Sequence, residues 1–228
     1  MTAEAAEIAF LFDVDNTLFD NDRFQEDLRD ELARRFGEAM SRRYWAIFEE
    51  LRTSLGYADY LGALQGLRRE NLHEPGLLAM ANWLLDYPFA DRLYPGALEV
   101  VARVRRWGAA AILSDGDAVF QPHKIERSGL WRAFDGEVLI YVHKEKELGD
   151  VARWRPAERY VLVDDKLRIL DAVKASWGDR VVTTFPKQGH YALDPAIAEL
   201  PRPDIEIAEI ADLLKFDAAA FRRGSARA

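Results

Sequence analysis

The chain contains no cysteine. That absence removes disulfides, thiolate metal sites and a thiol nucleophile from consideration. It also lacks any apolar run approaching the ~18 residues that a membrane span requires. The opening MTAEAAEIAF has neither the basic start nor the long apolar stretch of a signal peptide, so a cytoplasmic location without a membrane partner is expected. Positive charge is in short supply. With 31 Lys and Arg against 39 Asp and Glu, the net charge is -8, which argues against a nucleic-acid partner. There is no internal repeat and no low-complexity linker. The short basic tail from Phe221 to Ala228 reads as a frayed end. What remains is an ordinary globular composition, 49% hydrophobic and 31% charged over 228 residues. That length suits one large domain, or a core with a smaller insertion, as a monomer or homodimer.

The most informative stretch is Phe12-Asp13-Val14-Asp15-Asn16-Thr17-Leu18. It follows the apolar run Ile8 to Phe12, which reads as a short buried strand. Asp13 and Asp15 stand where that strand frays, and the i, i+2 spacing of a strand points them the same way. Two carboxylates side by side repel, and a hard divalent cation or a shared proton offsets this. Such residues also cap helices at strand-to-helix junctions, so the assignment depends on the rest of the chain.

From Asp20 to about Asp91 the spacing is helical. Phe24, Leu28, Leu32 and Phe36 recur every four residues and Gly37 closes that helix. Tyr44 to Leu55, Tyr57 to Leu67 and Leu77 to Leu85 predict three more. Beyond Pro95 strands and helices alternate. Strands are expected at 109–113, 138–142, 160–163, 180–185 and 205–207, with a last helix over 210–216. The pattern predicts an α/β fold, a three-layer Rossmann-like parallel sheet with an inserted α-helical cap. Residues 20–94 form the insertion, and 1–19 with 95–228 form the core.

In such a sheet the ligand site lies beyond the carboxyl ends of the strands. Four strands end on Asp13/Asp15, Ser114, Lys144 and Asp164/Asp165. This much negative charge exceeds what one lysine offsets, and oxygen ligands without His or Cys favour Mg²⁺ over zinc. A hydroxyl and an ammonium make a cradle for phosphoryl oxygens. Lys144 is preferred over Lys146 because it directly follows its strand. Lys124 and Lys166 are nearby candidates, though solvated helix surface is the default reading for both and Lys124 is placed on the helix after the second motif; His190 is read as a loop residue without a role.

In these motifs the chain resembles the haloacid dehalogenase superfamily, in its phosphohydrolase branch. DxDxT is matched by Asp13, Asp15 and Thr17, the second motif by Ser114, and the fourth by Asp164-Asp165; the family's usual Lys-Pro pair is absent at Lys144. Tyr94-Pro95-Gly96 resembles the point of re-entry from the cap. The resemblance implies that Asp13 is the nucleophile and Asp15 the acid and base. It implies phosphate contacts from Ser114, Asp115 and Lys144. It also implies Mg²⁺ held by Asp13, the main-chain carbonyl of Asp15, Asp165 and, directly or indirectly, Asp164. Thr17 would orient the loop.

Asp15 favours phosphate over halide chemistry, because the family's carbon–halogen hydrolases lack that second Asp. A small-molecule phosphate ester is therefore the expected partner. A phosphomutase would share every motif, and a silent scaffold or a receiver domain fits less well. Residues 20–94 contain ten Arg, no Lys and fourteen Asp or Glu, so no basic patch there selects a substrate.

Overall fold

A computed structural model describes residues 5–222; residues 1–4 and most of the basic tail, 223–228, lie outside it. Six strands form one sheet: β1 (Ala6–Phe12), β2 (Ala109–Asp115), β3 (Val138–Tyr141), β4 (Ala157–Val163), β5 (Val181–Pro186) and β6 (Ile205–Ile207). Their order is β3-β2-β1-β4-β5-β6 and every pairing is parallel. The chain works outward from β1 through β2 to β3, then crosses back to β4 on the other side of β1. The order thus reverses between β1 and β4, where α/β sheets bind their ligands.

Strand β1 shows why the sheet is buried on both sides. Phe10 and Phe12 enter one apolar cluster and Ala9 and Leu11 the other. Strand alternation divides them, and both faces are apolar because helices cover both. Leu167–Trp177, a helix after β4, covers the second face through Ile169, Leu170 and Val173.

Four helices are inserted between β1 and β2: α1 (Asn21–Phe36), α2 (Glu38–Leu55), α3 (Tyr60–Glu70) and α4 (Gly76–Leu85). Asp20 caps α1 by accepting from the Arg23 N–H at 2.9 Å, and its stripe of Phe24, Leu28 and Leu32 is fully buried. Gly37, at φ +82°, ends α1 and turns the chain into α2. The apolar cluster on the first face of the sheet continues without a break into these helices. The core resumes with α5 (Ala97–Val104), followed after β2 by α6 (Phe120–Arg127) and α7 (Leu130–Ala133).

The predicted helix over 210–216 is a 3₁₀ segment, Ile210–Lys215. Its start is held by a reciprocal pair, Glu209 with the backbone of Asp212 and Asp212 with the backbone of Glu209, and the segment is too short to propagate as an α-helix. Among the described residues no helix is long and apolar enough to cross a membrane.

Candidate active site

Four strand ends and one helix supply the site. Asp13 follows β1 with its N–H bonded to the Val163 carbonyl of β4, at 2.9 Å, which fixes it next to the residues ending β4. Asp164 and Asp165 follow that strand, and all three carboxylates are buried. One oxygen from each lies within 4.8 Å of the others. Thr17 turns back over them: its Oγ1 accepts from the Asp165 N–H at 3.1 Å.

Lys144, fully buried after β3, inserts its ammonium among these groups. Its Nζ lies 2.5 Å from Asp13 Oδ1 and 2.6 Å from Asp164 Oδ2. It also donates to the Leu113 carbonyl at 3.2 Å. Lys146 is exposed. Ser114, at the end of β2, donates to Asp13 Oδ1 at 3.4 Å. The Asp115 carboxylate accepts from the Lys144 N–H at 2.8 Å and so holds the lysine's loop.

The charges do not balance. Burial would raise the Asp13 carboxyl, but the Lys144 and Lys166 ammonium groups and the Lys144 hydrogen bond bring it below its ordinary value. For Asp165 burial wins. It pushes the carboxyl well above the usual range; Lys166 opposes this, while Asp13 and Asp164 add to it. Asp164 is also raised, chiefly by burial, against the pull of Lys144. Burial works against the Lys144 ammonium, yet the carboxylates of Asp13, Asp164 and Asp115 outweigh it and lift its pKa. Meanwhile Asp13 Oδ2 and both oxygens of Asp165 are buried without a hydrogen-bond partner. Buried carboxylate oxygens left bare are costly, and a divalent cation with oxygen preference is one group that would satisfy them.

Asp15 corrects the reading from spacing. Its carboxylate is not one of the three that cluster. The strand ends at Phe12, so its two-residue period no longer governs where Asp15 points. The Asp15 carboxylate instead pairs with the Lys124 ammonium. A contribution from Asp15 to a metal is left to its main chain.

Lys124 is the second correction. It is fully buried on α6, not on a solvated face. One residue type hid it; its position did not. Phe120, Gln121, Lys124 and Ile125 form the buried stripe of that helix, and a lysine on such a stripe needs a partner. Gln121 joins the site too, donating to Ser114 Oγ at 2.9 Å and to Asp15 Oδ2 at 3.4 Å.

His190 reaches none of the three clustered carboxylates. Its Nδ1 lies 2.6 Å from Asp22 Oδ1, which also accepts from Asn16 Nδ2 at 2.9 Å. Gln188 in the same loop donates to the carbonyls of Asn16 and Thr17, at 3.1 and 2.8 Å. Gly189 makes this approach possible: a Cβ there would stand 2.6 Å from Asn16 Cβ. The loop therefore clamps the turn that carries Asp15. Above the turn lies a cavity of about 200 Å³ between core and inserted helices, bordered by Asp15, Asn21, Gln25, Tyr60 and Lys166 among others.

Residues 9–182 match the hydrolase family described as haloacid dehalogenase-like hydrolase, and the chain belongs to that family. A crystal structure described as a haloacid dehalogenase-like hydrolase from Burkholderia xenovorans LB400 is 55% identical, with a TM-score of 0.89 over 94% of this chain and 98% of that one. L-2-haloacid dehalogenase from Xanthobacter autotrophicus shares the fold at 20% identity and a TM-score of 0.60, covering 91% of this chain and 96% of that one. A magnesium-bound hydrolase of the family from Bacillus subtilis does so at 17% identity and 0.61, over 91% and 96%. None of the curated proteins compared with the chain matches it.

Proposed function

We propose that this protein is a Mg²⁺-dependent phosphatase that hydrolyses a small-molecule phosphate monoester through an aspartyl-phosphate on Asp13. The observation that carries this reading is the set of bare, buried oxygens on Asp13 and Asp165 beside a cationic Lys144. Hydrolysis of a carbon–halogen bond through an alkyl ester calls for no cation there. Likeness to a dehalogenase at 20% identity is likeness of fold.

Asp13, Asp165 and Asp164, with the main-chain carbonyl of Asp15, would hold Mg²⁺, which when bound supplies charge to neutralise the phosphoryl oxygens. A depressed pKa keeps Asp13 ionised, as a nucleophile requires. Its oxygen forms a bond to phosphorus while the ester P–O bond breaks, and the leaving oxygen takes a proton from Asp15. Water then attacks phosphorus, Asp15 takes the water proton, and Asp13 leaves. Ser114 and Lys144 bind the phosphoryl oxygens; Asp115 contributes by holding the Lys144 loop.

In this reading 1–19 and 95–228 are the catalytic core, and 20–94 is a cap domain that excludes water and selects the leaving group. A cavity of about 200 Å³ suits a compact alcohol.

The test is phosphate release from a panel of small phosphate monoesters. Turnover should require Mg²⁺ and be abolished by Asp13→Asn. Turnover of 2-haloacids with none of the esters would replace the phosphatase reading.

A further inference from the structure

Asp15 is held by two side chains of a single helix. Gln121 and Lys124 stand three residues apart on α6 and therefore share a face. Lys124 contacts Asp15 Oδ1, and Gln121 reaches Asp15 Oδ2 while also donating to Ser114 Oγ. The Lys124 side chain is fully buried, with its ammonium 5.3 Å from the centre of the Phe19 ring. Asp15 itself is 24% exposed and borders the cavity. Both carboxylate oxygens are thus tied back to α6, and Asp15 is not one of the three clustered aspartates.

We propose, on the phosphatase reading above, that Lys124 is a positioning residue: it aims the Asp15 carboxyl at the ester oxygen and keeps it from turning toward the cation cluster. Without the ammonium, the only side-chain hydrogen bond left to Asp15 among the described residues is the longer one from Gln121. A carboxyl with that freedom is rarely in line with the oxygen it must protonate, and small misplacements of acid–base groups are expensive. Gln121 extends the same device to Ser114, so the phosphate-binding hydroxyl and the acid–base group are registered by one helix.

Lys124→Met, Lys124→Arg and Asp15→Asn, with the Asp15→Asn/Lys124→Met double variant, test this with two esters. An alkyl phosphate needs a proton on its leaving oxygen, whereas 2,4-dinitrophenyl phosphate does not. In Lys124→Met the alkyl ester should lose roughly 10- to 100-fold in kcat with little change in KM. The dinitrophenolate burst, which reports phosphorylation of Asp13, should persist ahead of a slowed steady state. Lys124→Arg should restore part of the alkyl-ester rate. Adding Lys124→Met to Asp15→Asn should cost nothing further.

A burst that falls in step with the alkyl-ester rate would mean a merely structural lysine and overturn the proposal, as would an equal cost of Lys124→Met in both backgrounds. If Lys124→Met does not fold, Gln121→Met gives the same comparison: a loss common to both esters reports on Ser114, and a further, smaller loss of kcat for the alkyl ester alone is expected, its absence overturning the proposal. A wild-type protein inert toward both esters would overturn the phosphatase reading and this assignment together; an active wild type with an unaffected Lys124→Met overturns the assignment alone.

Discussion

At Asp165 the cost of burial is concentrated in two carboxylate oxygens with no hydrogen-bond partner. One of them lies within 4.8 Å of a carboxylate oxygen of Asp13 and of Asp164. Removing one negative charge from this trio should relieve repulsion in the metal-free protein and abolish its affinity for a cation. Asp165→Asn is therefore expected to melt no lower than wild type in EDTA. Wild type should gain about 2.7 kcal/mol in Mg²⁺ at 100 times the dissociation constant, and the variant should gain almost nothing. Thermal melts with and without Mg²⁺ check this, and an undiminished shift in the variant would exclude Asp165 as a ligand. Residues at strand ends were legible in the sequence, because a strand that stops on Asp13, Ser114 or Asp164 declares its own boundary; Lys144 instead opens the 3₁₀ turn that follows β3. The direction of the Asp15 side chain was not legible, since it lies beyond the end of β1 and pairs with a partner 109 positions along the chain.

Among the elements, α6 joins the site to the inserted helices. One edge carries Gln121 and Lys124. Phe120, on the same helix, stacks near Phe24, Tyr60 and Phe89 with ring centres 5.9, 5.1 and 5.8 Å apart, and His123 Nε2 lies 2.6 Å from the Leu85 carbonyl of α4. A second tie runs from α1 to the segment that returns to the core. Asp27 Oδ2 accepts from Tyr87 Oη at 2.5 Å and from Arg92 Nη2 at 2.7 Å. Burial raises the Asp27 carboxyl, but those two donors outweigh it and leave it below its ordinary value. A carboxylate depressed on folding stabilises the protein above its unfolded pKa, near 4, and that contribution is lost as pH falls through the lower folded value. Arg92→Met should therefore cost about 1–2 kcal/mol at pH 7 and distinctly less near pH 3. Urea melts at the two pH values test this, and an equal cost at both would refute the ion-pair account. Periodicity located α1 and α4 to within a few residues, because Phe24, Leu28, Leu32 and Leu77 to Leu85 mark one buried stripe each. It missed the start of α2, where Glu38 and Ala39 carry no apolar signal, and the first residues of β4, where Glu158 and Arg159 break the apolar run.

Over the whole molecule, one apolar cluster runs from the sheet into the inserted helices, and the cavity opens beside it. This continuity makes the insertion a wall of the site. Its lining draws Asn21, Gln25, Arg52 and Tyr60 from the inserted segment and Asp15 and Lys166 from beyond the strand ends. The central claim is that Asp13 carries the phosphoryl group between the two halves of the reaction. The direct measurement is acid quench of the Mg²⁺-loaded enzyme during turnover of a phosphate ester, followed by mass spectrometry of the peptide containing Asp13. The account predicts a phosphorylated Asp13 that is labile to base and absent in Asp13→Asn. Phosphate release by wild type with no phosphoryl group on Asp13, or with one on another residue, would contradict it.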